Sequence, residues 1–139
     1  MDKNLKRELI LENFENPINK GLKNDESYQH TKKSSSSCID SFDIELKIED
    51  NIIKDIRFDG EACAIATSAL SISISKLIGK TKEEALDLIE NYNNMIEEKE
   101  YDKEKLEELN AYDDIYRQPS RKKCATIGID GIKDLIEKN

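Results

Sequence analysis

The stretch "FDIELKIEDNIIKDIRF", residues 42–58, decides the fold. Phe42, Ile44, Leu46 and Ile48 fall on one face, and Asp43, Glu45, Lys47 and Glu49 on the other. A period of two with this contrast belongs to a half-buried β-strand. Asp50-Asn51 supplies a turn, and beyond it Ile53, Asp55 and Arg57 alternate with Ile52, Lys54, Ile56 and Phe58. The stretch therefore reads as an antiparallel hairpin with one packed and one wet face. Asp59-Gly60-Glu61 ends it.

Downstream, "ACAIATSALSISISKLIG" (62–79) carries two periods at once. Leu70, Ile72 and Ile74 alternate as in a strand, whereas Ile65, Ala66, Ala69, Leu70, Leu77 and Ile78 suit a helix apolar over much of its surface. Length favours the buried helix, stopped by Gly79. Thr81 and Glu84 form a capping box. Ala85, Leu88, Ile89, Tyr92, Met95 and Ile96 then mark an amphipathic helix to about residue 98. Gly79-Lys80-Thr81 is not a phosphate-binding loop, because Ile74 stands where that motif needs its first glycine. Residues 103–116 read as a more polar helix or two short pieces. Pro119 separates them from a last helix over 121–137, in which Gly128 and Gly131 each cost about 1 kcal/mol relative to alanine. Upstream, Leu5, Leu11 and Phe14 among charges suggest a short helix over 3–14, broken at Pro17 and Gly21. A third strand is expected within 22–37. The expected fold class is α+β: a small antiparallel sheet of about three strands packed against several helices, in one domain over 1–139.

Apolar and charged residues each make up 37% of the 139, so the core is modest and the surface heavily solvated. A net charge of −8 argues against nucleic acid, which calls for clustered Lys and Arg. No apolar run approaches a membrane span, and no secretory signal is visible, so the expected setting is the cytoplasm. Disulfides are disfavoured there.

Three cysteines remain to be explained. Cys38 precedes the hairpin, with Asp40 at i+2 on the same side of an extended chain. Cys63 falls at the expected start of the buried helix and Cys124 near the start of the last one, where backbone N–H groups favour thiolate. Cys38, Asp40, Cys63 and Cys124 number the four ligands of a closed zinc site, and thiolate-rich sets equally suit iron–sulfur clusters. Spacing alone does not decide: separations of 25 and 61 residues match no local motif, and a shared site stands level with scattered structural cysteines. His30, the lone histidine, sits in a polar segment and is read as solvent-exposed. Tyr28, Tyr92, Tyr101, Tyr112 and Tyr116 are read as packing.

The segments "ENPINKG", "CID", "FDGEACAIATSALS", "GKTKEEAL" and "RKKCA", in this order, resemble the IscU/NifU-type iron–sulfur cluster assembly scaffolds. The likeness is greatest to the SufU branch, in which the gap before the last cysteine is long and lysine, here Lys123, replaces the histidine of IscU-like members. The resemblance implies zinc on Cys38, Asp40, Cys63 and Cys124, with an iron–sulfur cluster as the alternative cargo. It also implies a SufS-like cysteine desulfurase as partner, Cys38 as the persulfide acceptor, and downstream iron–sulfur apoproteins as recipients. The activity would be sulfur transfer rather than that of a conventional enzyme. Arg121 matches an arginine that stabilises thiolate charge or docks the partner. Ile39 and Ala62 depart from the family's glycines, and the proline ahead of Cys38 is absent. The alternative is a structural zinc-binding interaction module without sulfur chemistry.

Overall fold

The computed structural model describes residues 1–35 and 39–139. Helix α1 (Lys3–Glu15) leads through an irregular strap to strand β1 (Gln29–Ser34), followed by β2 (Ser41–Glu49) and β3 (Ile52–Glu61). Then come α2 (Ala64–Leu77), α3 (Lys82–Ile96) and the single turn α4 (Lys103–Leu106). Two 3₁₀ turns (Glu107–Tyr112 and Ile115–Arg117) lead into α5 (Pro119–Glu137). The strands form an antiparallel sheet in the order β1-β2-β3. The expected third strand is thus β1.

The hairpin forms as its alternation requires. Asp50 and Asn51, at φ 54° and 65°, make a two-residue turn with both central residues left-handed, which matches the twist of the flanking strands. The strict alternation expected along β3 breaks, however. Lys47 pairs with Asp55 but Ile48 with Ile53, so Lys54 has no opposite number. This bulge flips the parity, and Ile53, Ile56 and Phe58 all face the core. The second face of the sheet is also drier than its charges suggest. Glu45 is only 4% exposed, because its carboxylate accepts from the backbone N–H groups of Lys23 (2.7 Å) and Asn24 (3.0 Å) in the strap. Arg57 Nε donates to Gly21 O (2.7 Å) and Tyr28 OH to Asp55 (2.6 Å), fastening the same segment.

On the other face lie the helices. α2 is buried nearly all round, which explains its mixed periodicity. The capping box of Thr81 and Glu84 starts α3 as expected. α5 packs against α2, α3, β1 and β2. A Cβ on Gly128 would lie 2.9 Å from Leu70 Cδ1, and one on Gly131 2.6 Å from Ile44 Cδ1. The weak helix formers are thus what let α5 sink onto the core.

Three further expectations need correction. Leu5, Leu11 and Phe14 of α1 are exposed, and the helix rests on the core through Leu9 and Ile10. Of the two readings of residues 103–116 the short pieces hold, and what the polar reading missed is that Leu106, Leu109, Tyr112 and Ile115 are buried. Pro119 opens α5 rather than preceding it, its fixed φ and missing N–H costing nothing in a first turn.

Candidate metal centre

Three segments distant in sequence meet at one end of the sheet. β1 and β2 close at the pair Ser34–Ser41, and the N–H of Ser35 donates to the carbonyl of Asp40 (2.9 Å). Asp40, 1% exposed, is thereby held one residue ahead of β2. Its Oδ1 accepts the backbone N–H of Cys63 at 2.8 Å, and its Oδ2 lies 3.7 Å from Cys63 Sγ.

Cys63 is the N-cap of α2, with φ −69° and ψ 170°, and its sulfur accepts the N–H of Ala66 at 3.4 Å. The expectation of a cysteine at a helix start is met, with an amide aimed at the sulfur. Cys124 differs. Because α5 begins at Pro119, Cys124 sits in its second turn, beyond the first-turn amides, and is buried at 5% exposure. Burial, with Asp40 and Cys63 alongside, pushes its thiol up to about 12. Without a cation, then, Cys124 is a protonated, buried thiol and not the poised thiolate its sequence position suggested.

Ligand atoms of Asp40, Cys63 and Cys124 lie within 4.8 Å of one another. A carboxylate and two thiolates this close and this dry repel one another unless a cation lies between them. One oxygen and two sulfurs fit a borderline-soft divalent ion such as zinc better than a hard one. The fourth expected ligand, Cys38, lies outside the described residues. Arg121, on the first turn of α5 and one turn ahead of Cys124, is exposed. His30 belongs elsewhere: half exposed on β1, it meets Asp43 at 2.9 Å.

Sequence reasoning missed two contributors. Tyr112, placed among packing residues, also hydrogen-bonds Ser68 at 2.5 Å in the buried wall behind Cys63. Burial, with Cys63 nearby, raises its hydroxyl well above the ordinary range. Gly60, read only as part of a hairpin end, lies within β3 at φ +134°, opposite Phe42. A Cβ there would lie 2.1 Å from the carbonyl oxygen of Ser41, the residue after Asp40. The positive φ and close approach had no signal in periodicity.

Comparison with known proteins gives a consistent picture. The zinc-dependent sulfurtransferase SufU of Bacillus subtilis is 30% identical over 135 residues, covering 96% of this chain and 90% of that one. The iron–sulfur cluster assembly scaffold protein IscU of Thermotoga maritima is 32% identical over 102 residues, covering 73% and 72%. The crystal structure of a candidate SUF-system cluster assembly scaffold from Fervidobacterium islandicum AW-1 superposes with a TM-score of 0.78 at 26% identity. It covers 96% of this chain and 94% of that one. The sequence profile of the NifU-like N-terminal domain matches residues 5–137, and the chain belongs to that family.

Proposed function

We propose that the protein works in iron–sulfur cluster assembly, taking sulfur from a cysteine desulfurase onto Cys38. The observation that carries this reading is the convergence of Asp40, Cys63 and Cys124 within 4.8 Å in a chain of the NifU-like family. Cys38, one residue removed from Asp40 in sequence, would complete a set of four donors. Zinc is the ion this set would hold, with an iron–sulfur cluster as the alternative occupant. The bound ion would supply the positive charge that keeps the thiols deprotonated near neutral pH. The similarity to a zinc-dependent sulfurtransferase supports zinc, and the similarity to IscU supports the cluster.

The chemistry asked of the chain is thiol–persulfide exchange. The Cys38 thiolate attacks the outer sulfur of a persulfide on the partner. A sulfur–sulfur bond forms at Cys38 as the donor's breaks, and the electron pair leaves with the donor cysteine as thiolate. One persulfide is consumed and one made, so no external oxidant or reductant is required. Asp40 and Cys63 give the acceptor a fixed base through their N–H to carboxylate bond. Arg121, exposed one helical turn ahead of Cys124, is the cation this reading assigns to steadying thiolate charge. The cytoplasm, where thiols stay reduced, is the proposed setting. Among the described residues no helix is long and apolar enough to cross a membrane.

The test pairs metal analysis with turnover. The purified protein should carry zinc, and with a SufS-type desulfurase and L-cysteine it should accelerate alanine release. It should also gain the mass of one sulfur atom. Cys38→Ser should abolish both effects. A zinc-loaded protein that leaves desulfurase turnover unchanged would instead be an interaction module.

A further inference from the structure

Among the described residues, Ile39 is the most exposed large apolar side chain, at 80%, while its neighbour Asp40 is 1% exposed. The switch from full exposure to full burial within one residue has a visible cause. Asp40 is fastened through its carbonyl to Ser35 N–H and through its carboxylate to Cys63 N–H. With Asp40 pinned inward, Ile39 stands out into solvent. A single exposed isoleucine is ordinary on a protein surface. This one, however, is covalently next to the residue that accepts sulfur in the function proposed above. Consecutive Cα atoms are about 3.8 Å apart, so a protein that brings a persulfide into bonding range of that residue also covers Ile39.

The charge around the site end is as uneven as its polarity. Arg121 and Lys123 are exposed on the first turns of α5, and neither makes an ion pair among the described residues. Lys122 between them is engaged by Glu97 at 3.4 Å. Lys123 also lines, with Ser34, Ser35, Thr126, Ile127 and Asp130, a cavity of about 240 Å³ at the end of β1. In a chain of net charge −8, the apolar knob stands at the same end of the molecule as the exposed Lys123.

We propose that Ile39 is the apolar anchor of a docking surface for the sulfur donor, with Lys123 as its basic flank. The complementary partner surface is an apolar pocket rimmed by carboxylates. This inference rests on the sulfur-acceptor reading. The test uses the zinc-loaded full chain and a SufS-type desulfurase. Dissociation constants come from calorimetry and half-saturating concentrations from alanine release. Ile39→Asp should raise both about ten-fold or more, the size typical of a central interface anchor, with zinc content and thermal midpoint unchanged. Ile39→Leu should restore tight binding. Lys123→Glu should slow association and flatten its dependence on salt. A wild-type protein that stimulates the desulfurase, beside an Ile39→Asp protein that binds equally well, overturns the anchor and spares the sulfur-acceptor reading. A wild-type protein that neither binds nor stimulates overturns both. Should Ile39→Asp fail to fold, Ile39→Ser is read by the same criteria.

Discussion

Gly60→Ala should damage both the fold and the metal centre, and by an amount that can be worked from the geometry. At φ +134° an L residue is strained, at a cost of about 1–2 kcal/mol. The added Cβ would also lie 2.1 Å from Ser41 O and 3.1 Å from Phe42 Cα, both backbone atoms that no rotamer change can move. Relief requires β2 and β3 to part by roughly 1 Å at their ends, a displacement of the overpacking kind that costs about 1–3 kcal/mol. The sum, about 2–5 kcal/mol, is a large part of the roughly 5–15 kcal/mol that keeps a domain folded. It corresponds to a fall in thermal midpoint of roughly 6–15 °C for a chain of this size. Gly79→Ala is the control, since Gly79 has φ +93° but nothing within 4 Å of its virtual Cβ. It should lose only the backbone strain. Urea unfolding of both metal-free variants separates the two terms. Because Ser41 follows Asp40, parting the strands also draws the carboxylate away from Cys63 N–H, so chelator competition should show weaker zinc binding in Gly60→Ala alone. Equal stability losses in the two variants, or undiminished zinc affinity in Gly60→Ala, would refute the reasoning.

Other outcomes follow from the same structure. Removing zinc with a chelator should lower stability by about 4 kcal/mol when free zinc stands a thousand-fold above its dissociation constant, and an unchanged unfolding midpoint would count against a resident ion. Tyr112→Phe should cost about 1–2 kcal/mol by taking away the partner of Ser68, and a double-mutant cycle with Ser68→Ala should show coupling between the two. Burial raises the Asp130 carboxyl above its ordinary value. The folded state therefore holds that proton more tightly than the unfolded chain, and stability is lost as pH rises from about 3.8 through the folded value. Asp130→Asn should remove that loss and raise the thermal midpoint at pH 7, most visibly when the two proteins are compared across pH 4–7.

The parts of the fold legible in the sequence were those whose pattern is local. The hairpin could be read because Phe42 to Ile48 alternate and Asp50-Asn51 tolerate left-handed backbone. The bulge at Lys54 could not, since a single skipped residue leaves the composition of the strand unchanged. Glu45 looks wet in any alternation scheme, and only the strap's two amides make its burial affordable. At the metal centre, Cys63 was placed well because a run of small and apolar residues follows it. Cys124 was placed one turn too early because Pro119, a helix breaker in most positions, here begins the helix. The convergence of Asp40 with both cysteines depends on how β2, α2 and α5 pack together, and spacing carries no trace of it.

The bond from Cys63 N–H to Asp40 Oδ1 bears on which ions the cell can load. The bond holds the one carboxylate of the centre in place, and the other donors among the described residues are the sulfurs of Cys63 and Cys124. Calcium takes six to eight oxygen ligands and magnesium a near-ideal octahedron of them. Among the described residues, one carboxylate and two sulfurs offer neither ion such a shell. A thiophilic ion needs no such shell, so a single carboxylate set among sulfurs is itself a filter against the hard cations.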